Sequence, residues 1–227
     1  MARRGSANTL SLDVYAQLRD AILSGQVEPG SKLKPTELRE RYEVSLSVVR
    51  EALTRLAEQR LVHAEPNLGF SVAPLSAEHL RTLVEARCAI EGLTLRMSVE
   101  RGDVDWESRV LAVHHRLDRT PIRLDDGQVN PAWLAVHGEF HAALLEACGN
   151  DLLRGICSSL FDMAELYRRW NENGDPSGRD VGQEHRDLSA AALDHNAELA
   201  EKLLGEHIRR TREIAMRNIP ALRDTSS

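Results

Sequence analysis

Cysteine and long apolar runs are scarce in this chain of 227 residues. Its three cysteines, Cys88, Cys148 and Cys157, lie within helical patterns. Because they are few and odd in number, they are expected to be reduced thiols in a core, and not disulfides or metal ligands. No apolar run approaches the ~20 residues that span a bilayer, and the N-terminus lacks the apolar core of a signal peptide. The sequence therefore predicts a cytoplasmic protein with no membrane partner.

An excess of basic residues is also missing. The chain has 29 Lys and Arg against 35 Asp and Glu. Residues 1–75 hold ten basic and nine acidic side chains, and the acidic excess lies in the remainder. Since contacts with phosphates normally supply much of the affinity for DNA, this balance gives little electrostatic support for DNA binding by the first segment. It argues against nucleic-acid binding by the second.

The stretch from Lys34 to Leu53 predicts two short helices joined by a tight turn. Pro35 suits the first turn of a helix at 35–42, because the N–H that proline lacks would be unpaired there. Ser45 can cap the second helix through its side-chain oxygen. This is the layout of a helix-turn-helix, whose second helix enters the DNA major groove, although a surface hairpin of helices fits the spacing equally well. The second helix has an inward face of Val49, Ala52, Leu53, Leu56 and Ala57 and an outer face of Leu46, Ser47, Arg50, Glu51 and Thr54.

The flanking residues favour the DNA-binding alternative. An amphipathic helix is predicted at 14–23 and ends at Gly25. After the second helix of the pair, residues 61–64 and 70–73 read as two short strands, and 65–69 supply the reversal between them. Three helices followed by a small hairpin form a winged helix-turn-helix, which we assign to residues 1–75.

The segment from Tyr15 to Val72 resembles the DNA-binding domain of the GntR family of bacterial transcription regulators. The shared motifs are LRDAILSG, PGSKL, Glu37-Leu38, VSLSVVREAL and the wing tip Asn67-Leu68-Gly69. The resemblance implies that the partner is a double-stranded DNA operator. It assigns DNA contact to Thr36, Ser45, Leu46, Ser47, Arg50, Asn67 and Gly69.

Three residues depart from the pattern of that family. Leu46 stands where an arginine is usual, Val48 where proline is common, and Leu68 where the wing often has an arginine, whereas Arg50 matches. Because arginine paired with guanine is the commonest specific base contact, Leu46 predicts a different operator or weaker binding. The alternative is that Leu46 is partly buried against a dimer mate.

From Ser76 onward every strong pattern is helical. Helices are predicted at 77–101, 106–117, 131–148, 151–170, 184–195 and 197–218, with a polar connection at 118–130 and a loop at 171–182. The predicted fold is therefore mainly α: an N-terminal winged helix-turn-helix followed by an all-α antiparallel helical bundle at 76–227.

Histidines carry the chemistry of this bundle. His137 and His141 are four residues apart, so both project from one face of a helix, and His185 and His207 lie on the inward faces of two later helices. Four such histidines from three helices can converge on one metal ion. Imidazole suits Zn, Ni, Cu or Fe, and zinc is our first choice. The alternative is a set of hydrogen-bonded core histidines.

Residues from Leu80 to about Arg212 resemble the FCD ligand-binding domain of the FadR subfamily of GntR regulators. The motifs are Arg87 with Glu91, FHAALLEACGN, EHRDL and EHIRR. In metal-binding members an Asp and three histidines are the ligands. His141, His185 and His207 match these histidines, and His137 stands at the aspartate position.

The same resemblance implies a homodimer in which a small organic acid binds beside the metal and changes operator affinity. Arg87 is the residue carried over to bind this effector, and its alternative role is a salt bridge with Glu91. Two other functions remain open. In a metal-sensing regulator the ion itself is the signal, and in a metal-dependent hydrolase it activates water. The hydrolase lacks a positioned base, because Glu139 lies on a different helix face from His137 and His141.

Overall fold

The computed structural model describes residues 7–65, 68–169 and 178–219. It includes a turn of 3-10 helix at Glu146–Cys148. The mainly α class and the order of a winged helix-turn-helix followed by a helical bundle are confirmed. In chain order the elements are α1 (Ala7–Leu23), β1 (Lys32–Leu33), α2 (Pro35–Tyr42), α3 (Leu46–Glu58), β2 (Val62–Glu65), β3 (Gly69–Val72), α4 (Ala77–Arg101), α5 (Val104–Arg119), α6 (Pro131–Leu145), α7 (Asp151–Arg169), α8 (Val181–Leu193) and α9 (Ala197–Asn218).

The first three helices and three short strands form the winged helix-turn-helix. The strands are antiparallel in the order β1-β3-β2. α3 begins after Ser45, whose side-chain oxygen accepts a hydrogen bond from the backbone N–H of Val48 at 3.4 Å. Val49 and Leu53 on the predicted inward face are fully buried. The helix pair is therefore built as its sequence predicts.

Two elements of this unit differ from the prediction. α1 begins at Ala7 and not at residue 14, because Leu10 and Val14 pack with Val48 and Ala52 of α3. The strand β1 was not predicted, since two residues are too short to show an alternating pattern. It forms only because β3 offers a partner.

The described part of the second unit is helical from α4 to α9, apart from an isolated bridge between Arg123 and Val129. α4 packs along α9, and α5 lies against α6 and α8. The helix predicted at 131–148 ends earlier, and the 3-10 turn completes it. Most of the predicted loop at 171–182 lies outside the described residues. Polar side chains cap the first turns of all six helices from α4 to α9: Ser76, Asp103, Asn130, Asn150, Asp180 and Asn196.

The two units share one apolar core. β3 ends at Val72 and α4 begins at Ala77, on either side of the predicted boundary. A continuous cluster of buried side chains nevertheless includes Leu53 of α3 and Leu80 of α4. The division into 1–75 and 76–227 stays a prediction.

Two expectations from composition can be compared with these elements. The three cysteines are free thiols, and only Cys88 is half-buried while the other two are buried. Within the described residues, none of the helices has the length and apolar character required to cross a membrane.

Candidate functional site

Four buried histidines meet in the centre of the helical unit. His137 and His141 come from α6, His185 from α8 and His207 from α9. Each histidine offers one ring nitrogen to the centre, and these four nitrogens all lie within 4.8 Å of one another. Donor atoms around a tetrahedral zinc ion, with bonds of about 2.0–2.1 Å, are about 3.3 Å apart. The four histidines predicted from helical spacing therefore lie together in the structure. A small movement of their side chains towards one another would bring the nitrogens to the separation found around a zinc ion.

Unsatisfied ring nitrogens test whether this histidine cluster fits a metal. The Nε2 atoms of His137 and His141 are 3.1 Å apart. Two other buried nitrogens, His137 Nδ1 and His185 Nε2, have no hydrogen-bond partner in the described structure. A buried polar atom without a partner costs free energy, so a merely structural cluster would be expected to pair these nitrogens. The donor set fits a divalent transition metal.

Burial keeps the cluster uncharged. Desolvation lowers the pKa of His137 and of His141 well below the ordinary value, and the neighbouring arginines and histidines lower both further. Desolvation likewise lowers the pKa of His185 to about 2 and that of His207 to about 4. The neutral imidazole is the form that binds metal. The four rings are thus held in the binding form at neutral pH.

A carboxylate orients His207. The Nδ1 of His207 donates to Glu184 Oε2 at 2.9 Å, which leaves its Nε2 free for the cluster. Arg179 Nε and Arg210 Nη1 donate to the other oxygen of Glu184 at 2.8 and 2.9 Å. Burial opposes the charge of this carboxylate, but the hydrogen bonds from His207 and the two arginines keep its pKa below the ordinary value. Metal-binding histidines commonly have such a partner.

A second carboxylate lies beside His137. Glu165 Oε1 is 4.0 Å from His137 Nδ1 and accepts a hydrogen bond from Arg168 Nε at 2.7 Å. Trp133 stacks on the His137 ring with centroids 4.5 Å apart, and the Arg168 guanidinium lies over Trp133. The stacked Trp133 ring restrains one face of His137, and Glu165 lies near its Nδ1 without a hydrogen bond.

A cavity of about 540 Å³ lies near the histidine cluster, although none of the four histidines lines it. Trp133 lines it and also stacks on His137. Its described lining contains no Asp or Glu, and its other walls are mainly apolar. Five arginines line it: Arg87, Arg123, Arg168, Arg179 and Arg212. The arrangement suits a small anion with an apolar body.

Arg87, the predicted effector residue, is paired in this structure. Its Nε and Nη2 donate to the two carboxylate oxygens of Glu91 at 2.6 and 3.1 Å, and both side chains are buried. The guanidinium also lies 5.5 Å from the centre of the Phe161 ring. The salt bridge that sequence left as the alternative is thus present. Arg87 still borders the cavity, so a role in effector binding stays a prediction.

The residues predicted to contact DNA are exposed where they are described. Thr36 at the start of α2 and Leu46, Ser47 and Arg50 on α3 are exposed. The Leu46 side chain, for which a dimer mate was the alternative, is 37% exposed in the single chain. Asn67 lies outside the described residues. The other two predicted contacts, Ser45 and Gly69, are exposed as well.

Sequence reasoning missed Glu184, Glu165 and Arg179. Glu184 precedes His185 in α8, but a step of one residue turns a side chain about 100° around a helix, so spacing predicts no common site. Its partner is His207 on a different helix, which only tertiary packing reveals. By contrast, Glu139, the carboxylate that sequence placed on another helix face, forms an exposed ion pair with Arg116.

Comparisons with known proteins agree with both units. Residues 10–72 match the family described as bacterial regulatory proteins, gntR family, and residues 82–210 match the FCD domain. The uncharacterized HTH-type transcriptional regulator BphR of Paraburkholderia xenovorans is 36% identical, over 89% of this chain and 84% of that protein. The HTH-type transcriptional repressor GlaR of Escherichia coli is 31% identical, over 87% and 92%.

Two solved structures have the same fold. A putative transcriptional regulator GntR from a Rhodococcus species superimposes with a TM-score of 0.74 at 24% identity, over 91% of this chain and 97% of that chain. The Escherichia coli protein McbR/YncC gives a TM-score of 0.75 at 20% identity, over 92% and 97%. At these identities the likeness concerns the fold.

Proposed function

Because this chain belongs to the GntR family of bacterial transcription regulators and carries an FCD domain, we propose that a small carboxylate controls its operator affinity. This effector would bind beside a metal held by His137, His141, His185 and His207. Family membership makes the chain a DNA-binding transcription regulator and not an enzyme. The metal, the effector and the dimer are our proposals.

The histidine cluster is the observation that carries the proposal. Four neutral, buried imidazoles converge, and two of their nitrogens have no partner among the described residues. Zinc is the first choice, and nickel, copper or iron also suit nitrogen ligands. When bound, the ion would supply a positive charge and, in a geometry with more than four positions, open sites for a carboxylate. Glu184 and Glu165 would orient His207 and His137.

Charge complementarity supports an anionic effector. The cavity next to the cluster is lined by five arginines, of which Arg87, Arg168 and Arg179 are paired with buried or partly buried carboxylates. Arg123 donates to the carbonyl of Gly127. Arg212 forms no ion pair with the described residues, and it is the arginine most free to bind a ligand carboxylate. Arg87 would contribute by field or by exchanging partners.

A direct test measures operator binding in three conditions. The operator is first selected from random duplexes with the full-length protein. Its dissociation constant is then measured with chelator, with Zn²⁺, and with Zn²⁺ plus a panel of small carboxylates. We expect at least one carboxylate to change the affinity about fivefold or more. Equal affinity in every condition would contradict control through this site.

The number of nitrogen ligands favours a second candidate, a regulator that senses the metal itself. Four histidines fill the positions of a tetrahedral ion, and a closed site of this kind leaves no room for a carboxylate. Zn²⁺ alone would then change operator affinity, and no carboxylate would add to the effect. The three conditions above distinguish the two candidates.

A further inference from the structure

An ion pair joins the DNA-binding unit to the helical unit. Arg19 is on α1, and Asp162 is on α7. Arg19 Nε donates to Asp162 Oδ2 at 2.9 Å, and its Nη2 donates to Oδ1. Asp162 is 5% exposed, and most of Arg19 is covered as well. The two-point geometry fixes the direction of the guanidinium as well as its distance.

The residue before Asp162 contacts the histidine cluster. The Phe161 ring lies 5.6 Å from the ring of His137 and 5.5 Å from that of His141, measured between centroids. Arg87 lies over the same Phe161 ring. One turn later, Glu165 approaches His137. α7 therefore contacts the cluster on one side and α1 on the adjacent side.

The same helix holds the segment that connects the two units. Tyr167 donates its hydroxyl to the carbonyl of Ser76 at 3.2 Å, and the hydroxyl lies 2.9 Å from His79 Nδ1. Ser76 is the N-cap of α4. Since a helix moves as a rigid rod over a few turns, a displacement of Phe161 shifts Asp162 and Tyr167 with it.

We propose that α7 transmits the state of the histidine cluster to the DNA-binding unit through the Arg19–Asp162 pair. The inference rests on the proposed function for its ligand and on family membership for its DNA binding. Metal or effector that repositions Phe161 would favour one placement of Asp162, and Arg19 would carry that placement to α1. A ligand shifts such an equilibrium only through different contacts in the two states, and Phe161 supplies them.

Breaking the Arg19–Asp162 pair costs free energy, so a displacement of Asp162 is expected to move Arg19 with it. Burial raises the pKa of Asp162, and the hydrogen bonds and charge of Arg19 oppose that rise. Without Arg19, the carboxylate would be left in a buried position with no cation. The Arg19 side chain is 28% exposed, so its apolar stem is mostly covered. Arg19→Met keeps an apolar stem at this position and removes the guanidinium that forms the pair.

A double-mutant cycle on operator binding tests the inference without any ligand. Arg19→Met, Phe161→Leu and the double variant are compared with the parent protein, after circular dichroism confirms folding. If α7 couples the two sites, the effect of Phe161→Leu on operator affinity should differ by about threefold or more between the parent protein and the Arg19→Met variant. Additive effects would overturn the inference. Arg19→Lys keeps the charge but loses the two-point geometry, and it should give an intermediate coupling.

A matched control uses an ion pair inside the helical unit. Arg96 of α4 donates to Glu201 of α9 at 2.7 Å, so this pair joins two helices of the helical unit. Arg96→Met combined with Phe161→Leu should be additive. Non-additivity of the same size in this cycle would mean that general loosening of the bundle, and not the Arg19–Asp162 pair, is being measured.

Zinc separates failure of this inference from failure of the proposed function. In the parent protein Zn²⁺ should raise the melting temperature. Zn²⁺, alone if the ion is the signal or with the active carboxylate of the panel if it is not, should change operator affinity by about fivefold or more. In Arg19→Met the rise in melting temperature should persist, while the change in affinity falls within about twofold. An unchanged zinc effect on affinity in Arg19→Met would overturn the inference. A melting temperature unmoved by Zn²⁺ in the parent protein would remove the metal site, and the ligand-free cycle would still decide the role of the pair.

Discussion

At the scale of single residues, His137 separates this chain from the ligand pattern of its family. The resemblance drawn from sequence implies an aspartate at this position in metal-binding members, and an imidazole there would keep a ligand while removing a negative charge. We expect His137→Asp to retain one ion per chain and His137→Ala to bind more weakly, with three ligands. Removing His141, His185 or His207 should abolish tight binding. Elemental analysis of protein purified without chelator measures this, and metal-free parent protein whose melting temperature ignores added Zn, Ni and Cu would contradict it.

Glu184 offers a second prediction at this scale. Glu184→Gln should weaken metal binding by about 10- to 100-fold, because it removes the charged acceptor that orients His207. Competition with a chromogenic chelator measures the affinity. The matched control is Glu107→Gln, because Glu107 accepts from His195 at 2.9 Å outside the cluster. Equal affinity in the two variants would mean that Glu184 serves only the ion pairs with Arg179 and Arg210.

Much of the histidine cluster could be predicted from sequence, but not its surroundings. The spacing of His137 and His141 places both on one helix face, and the apolar neighbours of His185 and His207 turn them inward. A residue that orients a histidine of the cluster can come from a different helix, as Glu184 of α8 does for His207 of α9. The sequence neighbours of such a residue give no periodic pattern that would identify it. Pairings set by tertiary packing are therefore the part that sequence reasoning missed.

At the scale of elements, α3 is the helix predicted to read DNA. Its N-terminal turn presents Ser47 and Arg50 to solvent, and its other face is buried. Arg50→Ala should weaken operator binding by about 1–3 kcal/mol if the guanidinium contacts a base. Fluorescence anisotropy with the selected operator measures the loss. Arg81→Ala is the control, because Arg81 is an exposed residue of α4 that pairs with Glu78 and Glu85.

Leu46 gives a prediction for the same helix. It occupies a position where an arginine is usual in the family, and its side chain is partly exposed. Leu46→Arg should shift the selected operator towards sequences with guanine at the contacted step, because arginine binds guanine through two hydrogen bonds. Selection from random duplexes with both proteins compares the preferences. Identical operators for both proteins would show that residue 46 does not face a base.

The elements themselves were predictable to different extents. Caps and apolar periodicity located α2, α4, α9 and the start of α3 to within a residue or so. The strand β1 has two residues, and its pairing with β3 is decided by the fold around it. The start of α1 was also missed, because the additional turns that carry Leu10 pack against Val48 and Ala52 of α3. Local pattern fails where a neighbouring element supplies the stabilisation.

At the scale of the whole molecule, charge and symmetry lead to the last prediction. The first 75 residues carry one more basic than acidic side chain, so a single DNA-binding unit is expected to make a weak electrostatic contact with DNA. Two such units on a two-fold symmetric protein would bind two half-sites about one helical turn, or a multiple of it, apart. We therefore expect a homodimer.

The helical unit is the expected interface, and its helices expose apolar side chains that a partner would cover, among them Leu93, Leu111, Leu152 and Leu199. Sedimentation equilibrium at micromolar concentration should give twice the chain mass of 25.4 kDa, and the selected operator should be an inverted repeat. A monomer both free and on DNA, or an operator without two-fold symmetry, would contradict the prediction, because a single DNA-binding unit contacts only one half-site.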